Sequence, residues 1–579
     1  MKIPIPASES PRSSRRAFKF LGAFFTSAML LTQPGCGEEE PEPEPEPAEP
    51  IRVQVLAFND FHGNLETPSG STGRIRVPAT DGGTAVDVPA GGAAYLAHHI
   101  QALRQDNPKN TVVVSAGDLI GASPLVSGIF HDEPTIEVMN MMGLDLNSVG
   151  NHEFDEGFTE LLRMQSGGCH PVDGCQAGAS FPGASFKFLS ANVFTDVATR
   201  KTLFPAYNIR EFEGAKVAFI GMTLKGTPLI VSPTGMSGLT FQDEADTVNA
   251  LIPELKQQGV EAIVVVIHEG GLPTGSFNEC PGLSGPIKDI VERLDDEVDV
   301  VASGHTHQAY NCLIDGKRVT SAASNGRLIT DIDLVLDPTT HDVVEATARN
   351  VIVTRETAHA PVDAYVKGLV SRVAPLRDKV IGYTESGLAA PVRPLPAGAS
   401  GESTLGNAVA DGMLAATRGE RTGGAVIAFQ NAGGVRADIN AGDITYGEVF
   451  AVQPFANNMV TLTVTGAQIE TLLEQQFQPG DTSIIQVSQG FAYSWSASAP
   501  AGNKVDPASI TLNGTPLSPT ANYRVTVNNF MAAGGDSYTV LTQGKDPLTG
   551  PIDLDVLEAY TRANNPLPTP QLGRITVIP

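Results

Sequence analysis

Five short β-rich runs in the first part of the chain each end in a polar turn carrying Asp, His or Asn. Residues 51–58 lead into Asn59-Asp60-Phe61-His62, 111–116 into Gly117-Asp118, and 145–149 into Gly150-Asn151-His152-Glu153. Residues 261–267 then lead into His268, and 298–303 into Gly304-His305-Thr306-His307. A lone His after a strand is more often structural than a ligand, but an ordered set of five such turns argues for shared chemistry. Carboxylate and amide oxygens mixed with imidazole nitrogens suit Mn, Zn, Fe, Co or Mg rather than a soft, thiophilic ion.

In this order the motifs resemble the calcineurin-like metallophosphoesterases, specifically their 5′-nucleotidase and UDP-sugar hydrolase branch. The resemblance implies two divalent metal ions sharing Asp118, with Asp60, His62 and His307 on one and Asn151, His268 and His305 on the other. Two cations about 3.5 to 4 Å apart can clamp a phosphoryl oxygen and lower the pKa of a bound water, so hydrolysis needs no covalent intermediate. His152 matches the family's catalytic histidine, which contacts the reacting phosphate and protonates the leaving alkoxide, and Asp155 matches the carboxylate that orients it. A His held by Asp is a competent acid near neutral pH.

The second part of the chain carries motifs that resemble the family's nucleotide-binding signatures. They are Asn431-Ala432-Gly433-Gly434-Val435-Arg436, Gln453-Pro454-Phe455, and Asn529-Phe530 running on to Gly534-Gly535-Asp536. The resemblance implies that Asn431 and Arg436 contact substrate, the arginine on its phosphate side. It further implies that Phe455 and Phe530 sandwich the base and that Asp536 receives the ribose hydroxyls. Glycines such as Gly433 and Gly434 let backbone approach a ligand, guanidinium binds phosphate through parallel bonds, and aromatic faces stack on any base. One departure stands out: family members commonly carry a further substrate arginine just before Glu402, where this chain has Gly401.

The elements needed to position these groups are legible as well. Strands alternating with helical stretches indicate a layered α/β domain, in which strand ends gather at one sheet edge. The resemblance implies a metallophosphoesterase β-sandwich with flanking helices, followed by a smaller α/β substrate-binding domain. Boundaries are expected at residues 51–355 for the catalytic domain, 356–380 for a linking helix and 381–579 for the substrate domain. Apolar residues at helical spacing (Val362, Tyr365, Val366, Leu369, Val370, Val373) point to that helix, and a hinge between the domains is expected there.

Composition narrows the partners. Acidic residues outnumber basic ones 64 to 38, a balance that repels a nucleic-acid backbone, so a small nucleotide is expected rather than polymeric DNA or RNA. Residues 1–36 read as a targeting segment, with Arg15-Arg16 resembling a twin-arginine export motif and Cys36 a lipoprotein attachment point. Residues 37–50 read as an extended Pro/Glu spacer. The expected location is therefore the periplasm or cell surface, with a lipid anchor at Cys36. Four further cysteines, Cys169, Cys175, Cys280 and Cys312, suggest two disulfides. Pairing by neighbours is the simplest of three connectivities. A Cys/His zinc site using His170 competes, but the spacing matches no ribbon or finger pattern.

The expectation from sequence is thus extracytoplasmic, metal-dependent hydrolysis of nucleoside 5′-phosphates. A 2′,3′-cyclic nucleotide phosphodiesterase, a UDP-sugar hydrolase and a non-catalytic nucleotide-binding surface protein are the alternatives.

Overall fold

Along the strand Ile51–Phe58 (β1) successive side chains enter different cores, with Val53, Val55 and Ala57 facing one and Leu56 and Phe58 the other. That period of two is what a strand buried on both faces requires. The computed structural model describes residues 49–78, 85–231, 233–478 and 481–578. The expected export segment, Cys36 and most of the Pro/Glu spacer lie outside the described residues.

The principal strands that follow β1 are Thr111–Ser115 (β2), Leu146–Ser148 (β3), Lys187–Leu189 (β4), Tyr207–Phe212 (β5) and Ala215–Thr223 (β6). Ala262–His268 (β7), Val300–Ser303 (β8), Ala309–Ile314 (β9), Lys317–Ala322 (β10), Leu328–Leu336 (β11) and Val343–Ile352 (β12) complete the first domain. They form two six-stranded sheets, ordered β12-β11-β1-β2-β3-β4 and β9-β10-β8-β7-β6-β5. One core, built from residues such as Val55, Val114, Phe219, Val264 and Leu334, lies between the sheets. The helices Ala93–Leu103 and Glu133–Met142 cover the first sheet, and Glu244–Gln257 and Pro286–Val291 cover the second.

Parallel pairing aligns the ends of these strands. Phe58 stands opposite Ser115 and Ser115 opposite Asn147 in the first sheet. In the second, Thr223 pairs with His268 and Ile267 with Ser303. Because the strands run the same way in register, the turns that follow β1, β2, β3, β7 and β8 emerge at the carboxyl edges of the two packed sheets.

The helix Ala360–Arg377 buries Val362, Val366, Leu369 and Val373 in the core of the first domain. Four apolar side chains at about 1.5 kcal/mol or more each hold it there. A hinge along the helix would strip that surface, so the hinge expected over this segment does not fall within Ala360–Arg377, which strand Val380–Thr384 (β13) follows.

The second domain builds a five-stranded sheet from Ile427–Gln430 (β14), Asn458–Thr465 (β15), Gln486–Val487 (β16), Asn522–Asn528 (β17) and Lys545–Ile552 (β18), in the order β16-β14-β17-β15-β18. Its helices carry their own start signals. Ser403 caps Thr404–Thr417 by accepting from Gly406 N (2.9 Å), and Thr445 with Glu448 and Thr465 with Gln468 form two capping boxes.

The cysteines pair by neighbours, Cys169 with Cys175 and Cys280 with Cys312. Among the described residues no helix is long and apolar enough to cross a membrane.

Candidate active site

Each strand-end turn folds back sharply to aim its side chain. Asp60, His62, Asp118, His305 and His307 all adopt positive φ, between 47° and 69°. Non-glycine residues rarely occupy that region, and a cluster of them marks backbone strained for a purpose. The turns hold one another: Asp60 N donates to Gly117 O (3.0 Å), His62 N to Asp118 O (2.9 Å) and Asn325 N to Asp60 O (2.8 Å). Gly150 permits a close approach, since a Cβ there would lie 2.2 Å from Asp118 Oδ1.

Three overlapping groups of donors result, one of them His62, Asp118 and His152. Asp60, His62 and His307 bring ligand atoms within 4.8 Å of one another, and so do Asp118, His268 and His305. His62 Nε2 and His307 Nε2 lie 3.1 Å apart, a distance at which two imidazole lone pairs need a proton or a cation between them. His268 Nε2 lies 3.0 Å from Asp118 Oδ2 and 3.1 Å from Asn151 Oδ1. The far nitrogens are fixed, with His62 Nδ1 at 2.9 Å from Gly121 O and His268 Nδ1 at 2.7 Å from Ala116 O. With those carbonyls accepting from Nδ1–H, both Nε2 lone pairs turn inward, the usual arrangement of metal-ligating histidines.

The electrostatics demand a cation. Asp60 and Asp118 are buried. Burial raises the carboxyl of Asp118, yet His268 and His152 outweigh it and hold it well below the ordinary range. Burial likewise works against a charged His268, but Asp118 pushes it up to about 10, whereas burial and His268 together push His305 down to about 3. The bare cluster draws a proton onto a buried histidine to balance buried carboxylates. Divalent cations would balance them more fully and release that proton, so the donor set fits the metals that the sequence implies.

Beside this cluster His152 Nδ1 lies 2.8 Å from Asp155 Oδ2, and its backbone N donates to Asp118 Oδ1 (2.9 Å). Burial lowers the pKa of His152, but Asp155 and Asp118 prevail and the net shift is upward. The second domain closes over this pair. The ring of Phe455 stacks on His152 with centroids 5.7 Å apart, and Arg436 Cζ lies 5.8 Å from the Phe455 centroid. Burial and then Arg393 lower the pKa of Arg436, against the pull of Asp118, Asp155 and Asp60. Deeper in the second domain Asn431 Nδ2 donates to Asp536 Oδ2 (2.7 Å), and Asn528 Nδ2 donates to Asn431 Oδ1 (2.9 Å). Phe530 packs on Gly535, while the face of Phe455 turned to His152 can receive a base only if those two rings part.

Comparison with known proteins gives the family. The calcineurin-like phosphoesterase profile matches residues 53–309, and the 5′-nucleotidase, C-terminal domain profile matches 380–543. The chain belongs to the calcineurin-like phosphoesterases that carry a 5′-nucleotidase C-terminal domain. It is 33% identical to endonuclease YhcR of Bacillus subtilis over 91% of this chain, but spans only 41% of that relative. It is also 33% identical to cell wall protein Lmo0130 of Listeria monocytogenes, over 85% of this chain and 64% of that one. The chain thus covers less than two thirds of either relative's length. The solved 5′-nucleotidase precursor from Thermus thermophilus superposes with a TM-score of 0.74 at 26% identity, covering 91% of this chain and 99% of that one.

Two residues of this phosphoesterase stand out in the structure although sequence reasoning gave them no role. Glu153 accepts from Asp118 N (2.9 Å), Leu119 N (2.8 Å) and Gly150 N (2.7 Å), so one buried carboxylate ties the β2 and β3 turns together. Its place in Gly150-Asn151-His152-Glu153 was the available signal. Arg393 had none, standing in a Pro-rich loop eight residues before Gly401. A guanidinium nitrogen of Arg393 lies 2.9 Å from where a Cβ on Gly433 would sit. It lowers the pKa of Arg436, which burial lowers further, and it lines a cavity with Asp536, Tyr538 and Ile230 of the first domain.

Proposed function

We propose that this protein hydrolyses nucleoside 5′-phosphates outside the cytoplasm, in the cleft between its two domains. The observation that carries the reading is the contact across that cleft: Phe455 of the second domain stacks on His152 of the first, and Arg436 lies over the Phe455 ring. Phosphate-binding charge and a base-sized aromatic face thus adjoin the strand-end cluster.

In this reading Asp60, His62 and His307 would hold one divalent ion, Asn151, His268 and His305 would hold a second, and Asp118 would serve both. When bound, the two ions supply positive charge to the phosphoryl oxygens and activate the attacking water. Arg436, with Arg393 beside it in place of the arginine missing at Gly401, grips the phosphate through parallel hydrogen bonds. As the ester P–O bond breaks, the leaving alkoxide takes the proton from His152 Nε2, because Asp155 holds Nδ1 and favours the charged ring. Asn431, Gly433 and Gly434 line the approach, Asp536 accepts from the ribose diol, and Phe455 and Phe530 stack the base once the His152 contact opens. The products are nucleoside and inorganic phosphate. The disulfides and the likeness to a cell wall protein support an exported location.

A second reading, hydrolysis of phosphodiesters including single-stranded nucleic acid, is favoured by one observation, the relative named as an endonuclease. Phosphate release from AMP and other 5′-nucleotides, run beside hydrolysis of a 2′,3′-cyclic nucleotide, UDP-glucose and single-stranded DNA followed through their phosphomonoester products, separates the two. Metal-dependent release from 5′-nucleotides is expected, with His152→Ala lowering kcat by about 10² to 10⁴. Cleavage of DNA or cyclic nucleotide with no release from AMP would overturn the monoester reading.

A further inference from the structure

Asp132 stands where a helix start is ordinarily capped, yet its side chain does no capping. It directly precedes the helix Glu133–Met142, a position from which an Asp side chain normally accepts from the backbone of the first turn, and no such bond is made. Its backbone is left-handed instead, with φ 57° and ψ 9°, and the residue is 6% exposed. A carboxylate at positive φ, buried and diverted from its cap, costs stability, and a cost of that kind points to a task elsewhere.

The carboxylate turns toward the strand-end turns. Oδ2 accepts from Gly121 N (3.0 Å), and Oδ1 accepts from the hydroxyl of Ser127 in the helix Leu125–Gly128. Ser127 is braced in turn by Thr135, the two hydroxyl oxygens lying 2.7 Å apart. Burial raises the pKa of Asp132, against the hydrogen bonds from Ser127, Gly121 and Ser123, and the charge that bears on it most is the like one of Glu156. Hydrogen bonds rather than a cation hold this group in place.

Gly121 is where that arrangement meets the site. Its carbonyl oxygen lies 2.9 Å from His62 Nδ1, the contact that turns the Nε2 lone pair of His62 inward. On its other side Gly121 backs onto the acid pair: its φ is +81°, and a Cβ there would lie 2.4 Å from His152 O and 2.8 Å from Asp155 Oδ2. Gly63, the residue after His62, is close as well, since a Cβ on it would lie 3.0 Å from Asp132 Oδ1. One carboxylate thus lies against the turns after β1 and β2 together.

We propose that Asp132 is a positioning residue: by holding Gly121 it sets the His62 ring, and with it the affinity of Asp60, His62 and His307 for a divalent ion. The proposal rests on the reading of those three residues as metal ligands. Asp132 touches neither substrate nor reacting atoms and acts through Gly121. Without the carboxylate the Gly121 backbone is free to turn, and His62 Nδ1–H loses a fixed acceptor. The expected loss is about tenfold in metal affinity, the lower end of what partners of metal-bound histidines contribute.

The test is Mn²⁺ binding by the full-length protein, stripped with a chelator and titrated by calorimetry, with wild type beside Asp132→Asn and Asp132→Gly. Both replacements accept a left-handed backbone. Asn keeps the size but presents an amide NH₂ to one of the two donors, and Gly removes the side chain altogether. His62→Ala identifies which binding step belongs to that histidine. Wild type should bind two ions, and both Asp132 variants should hold one of them as wild type does and the other, the step lost in His62→Ala, about tenfold more weakly. At limiting Mn²⁺ kcat for AMP should fall in parallel and recover at saturating Mn²⁺, with KM for AMP little changed. A role confined to packing would lower Tm in both variants while both Mn²⁺ affinities stay at wild-type values, and that result would overturn the proposal. Wild type that binds no Mn²⁺ would overturn the metal reading itself and the proposal with it, so the two failures are told apart.

Discussion

Arg393 shows how a side chain can come beside the candidate site from a stretch that no motif marks. The position that usually supplies an arginine is Gly401, where φ is +81° and a Cβ would collide with Ile484 at 2.3 Å, so no larger residue fits there as the loop stands. The guanidinium arrives instead from residue 393 and sits beside Gly433 and Arg436. If it grips the phosphate, Arg393→Ala should raise KM for AMP by about tenfold, as loss of a hydrogen bond to a charged group predicts, while kcat changes much less. An unchanged KM would return it to the surface. Asp299 makes a different prediction, for stability. Burial pushes its carboxyl up to about 7, against the hydrogen bond from Ile263 N (2.8 Å), while an unfolded Asp titrates near 3.9. Between about pH 4 and 7 the folded protein therefore binds a proton that the unfolded chain has lost, so stability falls as pH rises through that window. Asp553, also raised to about 7, adds in the same direction. Asp299→Asn should flatten the decline of Tm over this range without abolishing it, and a Tm profile identical to wild type would refute the assignment.

At the scale of elements, the carboxyl ends of the parallel strands do the positioning, and their turns work only as a set. Gly150 is among the tightest points, matched by Gly270 against Gly304 O. The Gly150 backbone needs no positive φ, so the consequence of a Cβ there is contact alone, 2.2 Å from Asp118 Oδ1 and 2.6 Å from Asp118 N. Gly150→Ala should displace the Asp118 carboxylate, lower the number of bound divalent ions and depress phosphate release, while the circular-dichroism spectrum stays that of the folded protein. Full metal content in this variant would mean that the β3 turn yields more easily than its bonds to Glu153 suggest. The turns were readable in the sequence because each breaks a β-rich run with Gly, Asp, Asn or His. What Glu153 does was not, because its three backbone donors lie on two turns separated by thirty residues of chain.

At the scale of the whole molecule, base and ribose contacts are expected from the second domain and metal contacts from the first. Chelation should therefore abolish phosphate release and Mn²⁺ should restore it, whereas the affinity for adenosine, measured by calorimetry, should change little. Loss of adenosine binding together with the metals would place the nucleoside on the first domain instead. Opening of the cleft is expected past Arg377, since the helix Ala360–Arg377 is packed into the first domain's core and cannot flex with the second. The sequence by itself determined the ordered ligand motifs, the layered α/β class and the existence of a helix between the domains. These rest on local residue types, strand-end punctuation and apolar spacing, which are properties of neighbours along the chain. Only the tertiary structure decided which turns share a cluster, that Phe455 lies on His152, that the cysteines pair by neighbours, that Arg393 lies beside Gly433, and that His131 meets His170. Each of these depends on how sheets and loops distant in sequence pack, and no local pattern of residues encodes that distance.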